Sequence, residues 1–186
     1  LAREAHLEKF FIGFESINPG NRRELGGKAR GDIAKSQQVV DTVQKHGIGV
    51  VGLFVYGFDS DTPQIFPTAW EWIRNSRLDS VSATILTPYP GTVQRRELQA
   101  AGRIIPHDTW ERYNTNHVTF IPAQMTVDEL QNGYDWLCRR LYGYSEMARR
   151  GFRSWRRNLP EKGLSRLFSS FSTDIGYRWE TANRLK

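Results

Sequence analysis

One cysteine in 186 residues, Cys138, excludes an internal disulfide and any cluster or metal site built from several thiolates of this chain. The four histidines, His6, His46, His107 and His117, show no ligand-like spacing, so the residues predict no metal site. No uninterrupted apolar run reaches the roughly 18 residues of a spanning helix. No basic stretch leads into an apolar segment at the start, which leaves a signal peptide unsupported. The cytoplasm is the expected compartment, with attachment to a membrane surface left open. Solenoid repeats and low-complexity tracts are missing too, so one core with an appendage is the expected organisation.

What is present is organised around Val50–Thr62, VVGLFVYGFDSDT. Its Val, Leu, Phe and Tyr content predicts a strand buried on both faces, broken at Gly57 into a turn that carries Asp59 and Asp61. A helix is expected to follow, with Thr62 as cap, Pro63 at its first position, and Phe66, Ala69, Trp70 and Ile73 on one stripe. The same grammar occurs on either side. Phe10–Glu15 (FFIGFE) is an apolar run ending in an acid, followed by a loop rich in glycine and basic residues to Gly31. Asp32 then caps a helix with Ile33, Val40 and Val43 on one face, which closes near Gly47. Val81–Leu86 runs into Thr87-Pro88-Tyr89-Pro90-Gly91-Thr92, which neither helix nor strand can continue through. Strands alternating with helices predict a parallel sheet, and ligands of such sheets sit beyond the carboxyl ends of the strands. Glu15, Asp59, Asp61 and the Thr87-Pro88 backbone occupy those ends.

Leu1–Lys9 reads as the tail of a helix, and the chain as a piece of a longer one. Val93–Ala101 reads as a short basic helix closed by Gly102 and Pro106. Asp108 and Glu111 have capping-box spacing, and His117–Ile121 is expected to be a further strand. Thr126 and Glu129 form a second box, with Met125 and Leu130 placed as a hydrophobic staple. Leu130, Tyr134, Leu137, Leu141 and Tyr144 continue that helix as an apolar stripe, which makes Cys138 beside it a core thiol. From Arg149 the chain mixes Arg with Phe, Trp and Leu. That composition suits a nucleic-acid backbone or an anionic membrane surface, or else a helix pair packing its aromatics on the core. A net charge of +6 by itself fits an ordinary solvated surface.

Taken together, FIGFES at 11–16, GLFVYGFDSDT at 52–62, ILTPYPGT at 85–92, GRI at 102–104 and WERYNTNHVTFIPAQMTVDEL at 110–130 resemble the later half of the radical S-adenosylmethionine enzymes. The nearest likeness is to the cobalamin-binding-type branch, in which a helical extension follows the catalytic barrel. The resemblance implies an α/β fold, a partial TIM-like (β/α) barrel with parallel strands over 1–106 and a mainly helical extension over 107–186. It implies S-adenosylmethionine contacts from Glu15 and Ser16, from Gly57, Phe58, Asp59 and Asp61, and from Leu86, Thr87 and Pro88. The donors this cofactor brings, ribose hydroxyls and an ammonium, independently suit carboxylate acceptors such as Glu15 and Asp61. The family's four-iron four-sulfur cluster hangs on a CxxxCxxC loop that this chain does not contain, so its ligands are expected from a missing N-terminal part of the same polypeptide. Cobalamin would come with a further domain. No catalytic or metal-ligating residue is therefore assigned here, and the chain alone is expected to be inactive. The intact parent would cleave S-adenosylmethionine reductively to a 5′-deoxyadenosyl radical acting on an unidentified substrate, or methylate that substrate through cobalamin. The competing expectation is a basic RNA- or membrane-surface-binding module using Arg149–Arg157, with nucleic acid the less favoured partner.

Overall fold

Three parallel strands, β1 (Lys9–Glu15), β2 (Gly49–Tyr56) and β3 (Ser80–Ile85), lie in the order β1-β2-β3. They belong to a computed structural model that describes residues 7–22, 25, 33–106, 110–157 and 172–179. The expected caps at Asp32 and Asp108, the side chain of Ile33, His6, His107 and the Arg-rich stretch after Arg157 lie outside the described residues. Among the described residues α1 (Ile33–Lys45), α2 (Ile65–Asn75) and α3 (Val93–Ala100) follow the strands in the alternation expected, and α4 (Val127–Leu141) and α5 (Tyr144–Arg157) come after them. A helical segment at 172–179 also belongs to the described part. The fold is α/β, a partial barrel with a helical extension.

β2 is the central strand, paired with β1 along one edge and β3 along the other. Phe54 and Tyr56 point toward α2, where Phe54 meets Trp72 edge-on at 5.7 Å and Tyr56 meets Phe66 at 5.6 Å. Each such ring buried from water stabilises the fold by about 1.5–3 kcal/mol. Val51, Leu53 and Val55 face the other way, paired in register with Ser80, Ser82 and Thr84 of β3. β1 differs from expectation: it begins at Lys9, and Phe10 and Phe11 are exposed.

α2 starts two residues later than the Thr62 reading placed it. The carbonyls of Thr62 and Pro63 accept from Ile65 N and Phe66 N in preceding turns, so Gln64 becomes the N-cap, with no side-chain bond. The strand expected at His117–Ile121 reduces to one antiparallel bridge, Ile104 with Phe120. The physical reason lies at the outer edge of β3, whose backbone finds other partners. Tyr134 donates to Ala83 O at 2.9 Å, Tyr142 donates to Val81 O at 3.2 Å, and Ile85 N donates to Thr115 O at 2.6 Å. Thr126 and Glu129 do form the reciprocal capping box at the start of α4. Leu130, Tyr134, Leu137 and Leu141 are buried along α4, and Cys138 among them is 0% exposed. Tyr144 leaves that stripe; it opens α5 and is exposed.

Candidate functional site

The carboxyl ends of all three strands open onto a cleft of about 750 Å³. Glu15 closes β1, Val55, Phe58 and Asp59 bring in the end of β2, and Leu86 follows β3. The fourth wall is α3, through Val93, Gln94, Glu97 and Leu98. Parallel strands emerge on one side, so acids at their ends can share a rim, and Glu15 and Asp59 do so here.

Glu15 is set in place by its backbone. The β1–β2 register shifts between Gly13 and Glu15, and Glu15 holds φ +60°, a conformation that costs a side-chain-bearing residue about 1–2 kcal/mol. Such bulges re-aim a side chain. The carboxylate folds back over Gly13, where a Cβ would come within 2.2 Å of Glu15 Oε1. Among the described residues nothing hydrogen-bonds or ion-pairs with this carboxylate, and partial burial raises its pKa above the ordinary 4.5. An unpaired carboxylate in a partly apolar cleft suits a cationic ligand group.

Asp59 is committed differently. Arg103 holds it with two bonds, of 2.6 and 3.0 Å, and donates a third to Ile121 O, while Gln124 donates to Asp59 O. With half of Asp59's side chain in water, the pair contributes under about 1 kcal/mol, so its effect is to fix the rim.

Asp61 stands behind the rim and does not line the cleft. It is 0% exposed and accepts from Asn21 at 2.8 Å, Asn18 at 3.1 Å, Gly57 N at 3.1 Å and Phe58 N at 3.2 Å. Ser16 belongs to the same inner knot: its Oγ accepts from Asn21 and from Asn18 N. Gly57 holds φ +102°, and a Cβ there would press on Leu130 and Phe120 at 3.0 and 3.1 Å. Past β3, Leu86 N donates to Tyr56 O, Thr87 O accepts from Tyr89 N, and Pro88 O accepts from Arg95. Of the residues singled out in the sequence, Glu15, Phe58, Asp59 and Leu86 line the cleft.

The α3 wall and Arg103 were not singled out. The Gly102-Arg103-Ile104 motif carried a signal for Arg103, since a cation next to an apolar turn needs an acid partner.

Among the described residues no helix is long and apolar enough to cross a membrane, and no group of three or more His, Cys, Asp and Glu could hold a metal ion. The arginines of α5 turn largely inward: Arg149 pairs with Glu146, Arg150 with Asp174, and Arg157 with Asp79.

No family model matches the chain. It is 31% identical over 150 residues to the bacteriochlorophyllide d C-12(1)-methyltransferase of Chlorobaculum tepidum, a match covering 81% of this chain and 32% of that protein. It is 28% identical over 111 residues to the hopanoid C-2 methylase of Rhodopseudomonas palustris, covering 60% of this chain and 21% of that protein. With the bacteriochlorophyllide d C-8(2)-methyltransferase of Chlorobaculum tepidum it shares 26% over 106 residues, 57% of this chain and 23% of that protein. The chain thus spans a third or less of the length of these relatives. Parallel strands ending in an acid-lined cleft, a helical extension and methyltransferase relatives together agree with the resemblance to part of a radical S-adenosylmethionine enzyme.

Proposed function

We propose that this chain supplies the S-adenosylmethionine-holding side of a radical methyltransferase whose substrate is a large apolar ring system. The observation that carries the reading is Glu15, a strained, unpaired carboxylate at the strand-end cleft. S-Adenosylmethionine fits the residues present: Glu15 accepts from its ammonium, and Val55, Phe58 and Leu86 offer apolar surface to its nucleoside. When bound, the cofactor would supply reductive cleavage chemistry with a four-iron four-sulfur cluster held outside this chain, and the methyltransferase relatives support methyl transfer as the outcome, for which cobalamin is the carrier proposed here. This chain's single cysteine is buried, so it offers no ligand set for such a cluster. Chlorophyllide and hopanoid relatives support an apolar, ring-built substrate.

The test is calorimetry of S-adenosylhomocysteine with the 186-residue chain. Binding should weaken as pH falls through Glu15's titration, which lies above 4.5, because only the carboxylate form attracts the ammonium. Glu15→Gln should weaken binding about tenfold at neutral pH and flatten the pH profile. Unchanged affinity in Glu15→Gln would remove Glu15 from the site.

A further inference from the structure

The cleft carries more negative charge than the acid closing β1 accounts for. Its charged lining consists of Glu15, Asp59, Glu97 and Arg103. Arg103 donates twice to Asp59, at 2.6 and 3.0 Å, so those two side chains neutralise each other. Two carboxylates are left, Glu15 at the end of β1 and Glu97 on α3, and neither makes a hydrogen bond or ion pair among the described residues. The period of α3 aims Glu97 at the cleft. Val93 and Glu97, with Ala101 just past the helix end, fall at i, i+4 and i+8, Gln94 and Leu98 flank them, and all five line the cleft. Glu97 stands in the middle of that face, next to the small side chain of Ala101. The cations of the same helix lie around its other side: Arg95 donates to the Tyr113 hydroxyl at 2.6 Å and Arg96 to Gly91 O at 3.2 Å, and neither lines the cleft.

The walls built by β1 and α3 thus each present one uncompensated carboxylate to the same space. A ligand with a single positive centre answers one of them; a ligand with two answers both. We infer that Glu97 is a specificity-determining residue of the cleft, favouring a cofactor whose sulfur is a cationic sulfonium over the same molecule once that sulfur is a neutral thioether. This rests on the proposed function and deepens it. Glu15 holds the ammonium that S-adenosylmethionine and S-adenosylhomocysteine share, and Glu97 responds to the charge by which they differ. A cleft so charged retains the methyl-bearing cofactor and lets go of the demethylated product.

Calorimetry of the 186-residue chain with three ligands separates charge from methyl contact: S-adenosylmethionine, S-adenosylhomocysteine, and sinefungin, which carries an amine in place of the methylsulfonium. The parent should bind S-adenosylmethionine and sinefungin about tenfold more tightly than S-adenosylhomocysteine, and added salt should narrow that margin. Glu97→Gln should bring the three affinities to within about twofold while S-adenosylhomocysteine binds nearly as before, which also shows the variant folded. Glu97→Asp should keep part of the margin. Glu15→Gln should weaken all three ligands together. Equal affinity of the parent for S-adenosylmethionine and S-adenosylhomocysteine overturns the role of Glu97 and leaves the cofactor reading in place, as does a margin that Glu97→Gln leaves unmoved. A margin shown by S-adenosylmethionine and not by sinefungin also overturns it, since a methyl contact then accounts for the preference. Binding of none of the three refutes the cofactor reading, and this inference with it.

Discussion

Two carboxylates from neighbouring strand ends, Glu15 and Asp61, have opposite fates because of what surrounds them. Glu15 has no partner among the described residues, whereas Asp61 ties four donors together behind the cleft. Asp61→Ala would orphan those donors in a buried setting and should cost about 3 kcal/mol in urea unfolding. A residue that merely touched ligand would leave the unfolding midpoint unmoved. Burial raises Asp61's pKa above the ordinary 3.8, outweighing the hydrogen bonds that lower it. The folded chain therefore holds this proton to higher pH than the unfolded chain does. Its contribution favours folding below 3.8 and is lost as pH rises through the raised value. Relative to Asp61→Asn, the parent's stability should accordingly decline as pH rises from 3.8 through the raised value, read from paired urea midpoints. That acids occupy this turn was legible, because the apolar run of β2 breaks at Gly57. Which acid turns inward was not legible, since Asn21 reaches Asp61 from 40 residues away.

Helix α4 shows which parts of an element are written locally. Its start follows from Thr126 and Glu129, three residues apart, and the structure contains that box. Its packing against α2 depends on Gly133, where a Cβ would come within 2.2 Å of the buried Phe66 ring. Alanine is the better helix former by about 1 kcal/mol. Overpacking a fixed ring costs about 1–3 kcal/mol, so Gly133→Ala should lower stability in thermal denaturation. A gain in melting temperature would show that Phe66 yields. The missing strand at His117–Ile121 was illegible for a related reason. Its weak alternation resembles an edge strand, but the hydroxyls of Tyr134 in α4 and of Tyr142 just after it already serve the edge of β3. Parallel pairing of β1, β2 and β3 was legible, because helices between apolar runs allow few alternatives.

Across the whole molecule, buried carboxylates help fasten the extension to the sheet, Asp174 through Arg150 and Ser80 and Asp79 through Arg157. Asp174 accepts from Ser80 of β3 at 2.5 Å and from Arg150 of α5 at 2.8 and 3.2 Å. Asp174→Ala would leave the guanidinium of Arg150, 1% exposed, with only Glu146 at 3.7 Å as counter-charge, and should cost about 3 kcal/mol. Hydrogen exchange should locate the loss at 172–179 and β3. Protection there equal to the parent's would refute this fastening. Basic residues mixed with aromatics after Arg149 were legible in the sequence, but their direction was not. The acids that draw Arg150 and Arg157 inward, Asp174 and Asp79, lie far along the chain. Sealed beneath this assembly, Cys138 gives the protein an internal gauge of its own breathing. A maleimide can couple only during the moments when α4 lifts from the sheet, so the pace of alkylation counts those excursions. Saturating the cleft should slow that pace.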